Sequence, residues 1–362
     1  MKRLSTLQLA LSYAGMFFGA GFVSGQEIRQ FFSVYGTAGL FGLILSALLF
    51  FLLGAAFFDA AREEPDQTVG ELLIPGYHPV LSGAVEAAED IMLFGVVVIM
   101  TAGAGAMARQ VAGLPAAAAG LVFSAAVFLM SLRNVRAAVA VFSVLAPVLT
   151  LCAMAVGMYA LFLYQGGSGL SAAGEVSAAA ASSPLLRGPW SSAVLYAVCN
   201  VFGSFGVMLA MVPLLPDRKK TVMGTGLGAV VLMIPAMCVA ASMLAVPEST
   251  AEEIPTAYLA GLISPWFRNI YSILMLAAMY SAALGCLVGL LEQLRIRAAG
   301  SRSAVWSGRF PYRAVSAAAC LGAWALSLMG FGSLIGIIYP LFGWMGIPCV
   351  VCLLGKRAGK CH

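Results

Sequence analysis

The sequence predicts an all-α protein that crosses a membrane ten times. Three observations predict it. Hydrophobic residues make up 61% of the 362 residues and charged residues only 10%, whereas a soluble domain carries roughly 25% charged residues. Mean hydropathy is +0.96. Long apolar runs recur down the whole chain, each long enough for the about 20 residues that a helical span needs. No period-2 alternation of the barrel kind interrupts them.

The runs place spans near residues 7–33, 35–61, 82–112, 114–132, 136–164, 189–215, 221–246, 266–294, 310–329 and 331–354. The break between the last two is the shortest, only "GFGS" at 330–333. Charge supports the count, because cytoplasmic loops collect Lys and Arg. With the N-terminus inside, Lys2, Arg3, Arg62, Arg133, Arg136, Arg218, Lys219, Lys220, Arg295, Arg297, Arg302, Arg309, Arg313, Lys356, Arg357 and Lys360 lie inside. Only Arg29, Arg109, Arg187 and Arg268 lie outside. That split of 16 to 4 places both termini in the cytoplasm, and nine or eleven spans would blur it. The net charge of +5 is a topology signal and gives no pointer to nucleic acid. A basic start and an apolar middle also suit a cleaved leader. Yet Gln26, Glu27 and Arg29 follow without a small-residue cleavage pattern, and losing the span would upset the parity.

The eight cysteines lie mostly inside spans and suggest no disulfide framework. Cys349 and Cys352 form a C-x-x-C on an apolar helix, which reads as packing. His78 and His362 are the only histidines, so a His-rich metal site is not available. The longest non-cytoplasmic connection, 165–188, is rich in Gly, Ser and Ala and reads as a loose linker. It divides the chain into 1–164 and 189–362, with five spans each.

The first span is interrupted by "GMFFGAGFVSGQEI", with glycines at 15, 19, 21 and 25. Small residues at such spacing also serve close helix packing. The polar residues that follow favour a break. Ser24-x-x-Glu27 has the capping-box pattern, which predicts a new helix starting inside the membrane. Span 1 therefore reads as half-helices near 7–18 and 25–33 joined by "GAGFVS". The second half-helix would aim backbone N–H groups at the break, an anion site. The first would end in free carbonyls that suit a cation. Span 6 carries a matching interruption at mid-span, with Asn200, Gly203, Ser204 and Gly206, and Pro213 beyond.

"GAGFVSGQEI" resembles the signature of the YkvI-type membrane proteins, a bacterial family. "GAGF" is also similar to the G-S-G-I-F motif of the amino acid–polyamine–organocation superfamily, and "SFG…P" resembles the sixth-span motif of its amino acid permeases. The resemblance implies the LeuT fold, a 5+5 inverted repeat with discontinuous helices 1 and 6 and alternating access. It implies substrate contacts at Gly19, Ala20, Gly21, Phe22, Ser24 and Gly25, and at Asn200, Phe202, Gly203, Ser204 and Phe205. Many relatives carry an acidic residue just after the span 6 break, where this chain has Gly206-Val207. Several proton-coupled relatives carry a lysine on span 5, and none stands there here. Sodium-coupled relatives use a hydroxyl pair on span 8, of which only Ser281 matches. That serine could equally bond its own i−4 carbonyl.

An ionisable residue at mid-bilayer is a functional hypothesis by default. Glu27, just past the break, is the first such candidate, as a coupling group, a cap, or both. Arg109 is a candidate gate partner. Glu86, Glu89 and Asp90 share one helical side at the start of span 3, near the inner boundary. Asp59 and Glu292 read as interfacial.

The sequence thus predicts a secondary transporter of the bacterial inner membrane for a small zwitterionic or amine-bearing solute, an amino acid above all. The coupling ion would be Na⁺, held by carbonyls of Gly15, Phe18 and Ala278 and the Ser281 hydroxyl, or H⁺ through Glu27. A ligand sensor on the same fold is the alternative. No Walker A motif or set of catalytic groups argues for ATP use or an enzyme, and no cofactor or partner protein is implied beyond substrate and lipid. In a cysteine-depleted background, Ser177→Cys should react with impermeant thiol reagent added outside intact cells and Ser303→Cys only after permeabilisation. Labelling of both from one side would sink the ten-span topology.

Overall fold

The computed structural model describes residues 3–64, 69–74, 79–133, 136–163, 183–300 and 311–358. Among them the only regular structure is helix. Each of the ten apolar stretches is helical. Five helices are long and apolar enough to cross a membrane unbroken, and a sixth crossing counts if one bent pair is a single span. The chain is a multi-pass membrane protein.

Helix α1 (Thr6–Phe17) starts with a capping box that the sequence reading did not mark. The Ser5 hydroxyl accepts from the Gln8 N–H at 3.2 Å, and the Gln8 side chain accepts from the Ser5 N–H at 2.9 Å. A single turn α2 (Ala20–Val23) and a short helix α3 (Gln26–Phe31) complete the first stretch. The expected "GAGFVS" connection is thus itself half helical, and the stretch is broken twice. Helix α4 (Thr37–Glu63) follows, then a short α5 (Val69–Leu73) and α6 (Pro79–Ala112). Next come α7 (Ala116–Ser131) and α8 (Arg136–Leu163).

Most of the expected linker, 165–182, lies outside the described residues. Its last residues are docked, with Ser183 and Leu186 buried. Helix α9 (Pro189–Gly203) opens with Pro189 in its first turn, where a missing N–H costs nothing. It bends by 53° at Ser204 into α10 (Phe205–Met211). Helix α11 (Arg218–Ala245) is capped by Asp217, whose carboxylate accepts from the Lys220 N–H at 3.4 Å. The Lys220 ammonium, 3.0 Å away, helps hold the Asp217 carboxyl below the usual aspartate range.

The stretch 247–264, between the expected seventh and eighth spans, contains a helix α12 (Pro255–Ile263). Helix α13 (Pro265–Gly300) is the longest described. Helices α14 (Tyr312–Ser327) and α15 (Phe331–Ala358) end the described chain. Gly330, at φ 91°, makes the sharp corner between them.

The helices sort into two groups. Helix α11 packs against α1 and α4, and α4 against α9. Helices α6, α7, α13 and α14 form the second group, with α8 and α15 along its borders with the first. The second group is pinned by side-chain to backbone bonds: Ser124 to the Cys320 carbonyl at 2.7 Å and Trp324 to the Ala117 carbonyl at 2.9 Å.

Small residues set the approach in the first group. The Tyr13 hydroxyl donates to the Phe50 carbonyl at 2.6 Å and occupies the place a Cβ on Gly54 would need. A Cβ on Gly228 would lie 2.8 Å from the Ala10 carbonyl oxygen and 2.9 Å from the Tyr13 ring. Gly228→Val should therefore destabilise the protein by about 1–3 kcal/mol. Gly285→Ala, with open space around its added methyl, should stabilise it by about 0.5–1 kcal/mol through helix propensity. Unfolding followed in detergent checks the pair, and equal effects would contradict the packing described.

Candidate functional site at the two helix breaks

Apolar surroundings offer no water to a broken backbone, so each interrupted carbonyl needs another partner. The first break finds them far along the chain. The Val23 carbonyl accepts from the Thr256 hydroxyl at 2.8 Å and from the Tyr271 hydroxyl at 2.6 Å. The Ser24 carbonyl accepts from the Thr256 N–H at 3.3 Å. The Gly21 carbonyl accepts from the Ser24 hydroxyl at 2.7 Å.

The expected capping box at Ser24 and Glu27 does not form. The residue before α3 is Gly25, in the left-handed region at φ 77°. That conformation moves the helix start past Ser24. The Ser24 hydroxyl then turns back to Gly21 and accepts from the Gln26 N–H at 3.2 Å. Glu27 turns inward, where it is only 4% exposed. Its carboxyl rests against Gly21, so a Cβ at Gly21 would run into Glu27 Oε1. Tyr339 of α15 brings its hydroxyl to that carboxyl, and Tyr196 and Cys199 of α9 are its close neighbours. The space beside Gly21, expected to be left for a ligand, is filled by the chain's own carboxyl.

The other glycines divide. Gly15, Gly19 and Gly206 have nothing within 4 Å of an added Cβ. Gly203 is covered by the Met92 side chain of α6. Ser204 is buried at the bend, and its hydroxyl makes no hydrogen bond among the described residues. Asn200 is half-buried and donates to the Tyr196 carbonyl at 2.9 Å. Phe22, Phe202 and Phe205 are fully buried. Phe22 meets Phe18 edge-on at 5.4 Å, and Phe205 stacks on Phe57 at 4.4 Å. Ala278 and Ser281 are buried on α13, which packs against the α2 turn. The Ser281 hydroxyl makes no bond to its i−4 carbonyl or to any other described residue.

A strap crosses the break at 253–256. Arg109 pairs with Glu253 at 2.8 Å. The Gln110 amide takes both backbone groups of Ile254, at 3.0 and 3.1 Å. With its oxygen accepting from Arg29 at 3.2 Å, the Gln26 amide donates to the Glu253 carbonyl at 3.3 Å. Arg109 was anticipated as a gate partner. Glu253, Thr256, Tyr271, Tyr196 and Tyr339 were not, because a single Thr, Tyr or Glu in a loop or an apolar span carries no spacing signal. At the far end of α6, Asp90 pairs with Arg297 at 2.6 Å and Glu86 with the same arginine at 3.7 Å. Asp59 pairs with Arg218 at 3.1 Å.

The uncharacterized membrane protein YkvI of Bacillus subtilis (strain 168) is 27% identical over 359 residues, which span 98% of this chain and 97% of that protein. No family model matches the chain. Among solved structures, a mutant of the Eremococcus coleocola manganese transporter matches with a TM-score of 0.58 at 16% identity, over 96% of this chain and 78% of that one. The same transporter in complex with an aromatic bis-isothiourea substituted compound gives 0.57 at 13% identity, over 97% and 78%. The chain shares that transporter's fold.

The Val23 carbonyl has two donors, which sets a prediction. Thr256→Val and Tyr271→Phe should each cost about 0.5–1.5 kcal/mol. The double variant should cost more than the sum, because only then is the carbonyl left with neither hydroxyl. A strictly additive double-mutant cycle would show that these bonds do not hold the break.

Proposed function

We propose that the protein is a secondary transporter that moves a small amine-bearing or zwitterionic solute, of the amino acid class, by alternating access. It works in the bacterial inner membrane, with ten spans in a 5+5 inverted repeat of the LeuT type and both termini cytoplasmic. It is a carrier and not an enzyme. The observation that carries the reading is the pair of interruptions, at Phe18–Gly25 and at Ser204, inside one helix group that abuts a second. Discontinuous helices at the interface of two helix groups are how many secondary transporters hold solute and ion. Gly15, Gly19 and Gly206 supply unfilled space there, and Ser204 an unused hydroxyl.

The coupling ion in this reading is Na⁺. The carbonyls of Gly15, Phe18 and Ala278 and the hydroxyl of Ser281 form a neutral set of hard oxygen donors. Ser281 supports it, since the hydroxyl of this buried residue is not spent on another described residue. The name of the structural relative gives manganese as that protein's cargo. Among the described residues here, no three His, Cys, Asp or Glu converge.

Gly19 and Gly206 provide the test of place. A Cβ at either meets no atom within 4 Å, whereas one at Gly21 would run into Glu27. In proteoliposomes, uptake of the amino acid or amine identified by stabilisation screening should fall at least tenfold in Gly19→Leu with the fold retained. It should require Na⁺, and Ser281→Ala should raise the Na⁺ concentration needed. Ligand binding without counterflow would favour the sensor reading, and full uptake in sodium-free buffer would overturn the Na⁺ assignment.

A further inference from the structure

One buried side chain in the first break, Glu27 at 4% exposure, is a carboxyl with no counter-charge among the described residues. Among the described residues, no salt bridge joins Glu27, although Asp59, Glu86, Asp90 and Glu253 each meet an arginine. The groups that face it are the Tyr339 hydroxyl from α15, Tyr196 and Cys199 from α9, and the Gly21 backbone. None carries a positive charge. The amides of Gln26 and Gln30, on the same short helix, point elsewhere, against Gly332 and Gly336 of α15.

An ionised carboxylate removed from water needs a paired positive charge. A ligand carboxylate set beside Gly21 would need the space that the Glu27 carboxyl already fills. The place that the backbone of the break offers an anion is therefore already taken by the protein. The donors and acceptors left around it are a carboxylate and tyrosine oxygens. An ammonium group brings three donors and a unit positive charge, which matches them.

We infer that the ligand at the breaks is recognised as a cation, its ammonium group paired with Glu27, and that a free carboxylate on the ligand is not the group held there. The inference rests on the reading of the breaks as the ligand site and narrows it from zwitterions to amines.

Three probes separate the charges: ethylamine, alanine, which adds a carboxylate to it, and propionate, which lacks the amine. They are titrated against the purified full chain by calorimetry. Ethylamine should bind at least as tightly as alanine, and propionate should not bind. Glu27→Gln, which keeps the shape and removes the charge, should weaken ethylamine at least tenfold, while Glu27→Asp should retain part of the affinity. A melting curve of each variant confirms that it is folded. Propionate binding as well as ethylamine, ethylamine binding that Glu27→Gln leaves unchanged, or no binding by any of the three would overturn the inference. Gly19→Leu tells the two failures apart. Should ethylamine binding survive Glu27→Gln but vanish in Gly19→Leu, the breaks hold the ligand and only its charge class is wrong. Should it survive both, the breaks are not the site.

Discussion

The structure depends on how a broken backbone is satisfied away from water. Each unpaired carbonyl or N–H in hydrocarbon costs several kcal/mol, so the interruption at Phe18–Gly25 stands only because other chain segments complete it. The donors to Val23 lie 233 and 248 residues further on. The first break can reach its observed form only when α12 and the start of α13 are in place. That ties the beginning of the chain to its second half more firmly than apolar packing does, since helices in lipid gain little from apolar contact alone.

Glycine serves two opposite ends in this molecule. At Gly54, Gly224 and Gly228 the missing side chain lets another helix close in, and a neighbour fills the space. At Gly15, Gly19 and Gly206 the missing side chain leaves the space open. The two kinds cannot be told apart by spacing, since both recur at helical intervals in apolar runs. They differ in whether a partner residue elsewhere in the chain points at them, and only three dimensions show that.

The same limit explains how much the sequence made legible. The ten apolar stretches and both interruptions could be read, because hydrophobic length and clusters of small residues are local signals. The corner at Gly330 was readable as the shortest of the breaks. The capping box was misplaced for a physical reason. Ser24 and Glu27 have the right spacing, but Gly25 between them adopts φ 77° and shifts the helix start. The true box at Ser5 and Gln8 uses the same rule three residues apart. The strap at 253–256 was invisible, because its roles come from what Gln110, Arg109 and the break present to it. Glu27 was singled out for its depth, but its contact with Gly21 could not be foreseen, since it depends on α2 being a turn of helix.

The strap and the buried carboxyl are mechanically connected. Glu27 lies in the first turn of α3, and the residues just before that turn hang from Thr256 by Val23 and Ser24. Gln26, next to Glu27, reaches the Glu253 carbonyl. Any ligand that pairs with Glu27 and shifts α3 must therefore load the strap. The strap in turn is fixed to α6 by Arg109 and Gln110, and α6 belongs to the second helix group. In the proposed reading that short helix carries the charge a ligand meets, and hydrogen bonds link it through the strap to the second helix group. A rigid anchor at Glu27 would transmit nothing. In the proposed reading, a carboxyl held on six residues of helix, between two breaks, passes the gain or loss of a counter-charge to the contact between the groups.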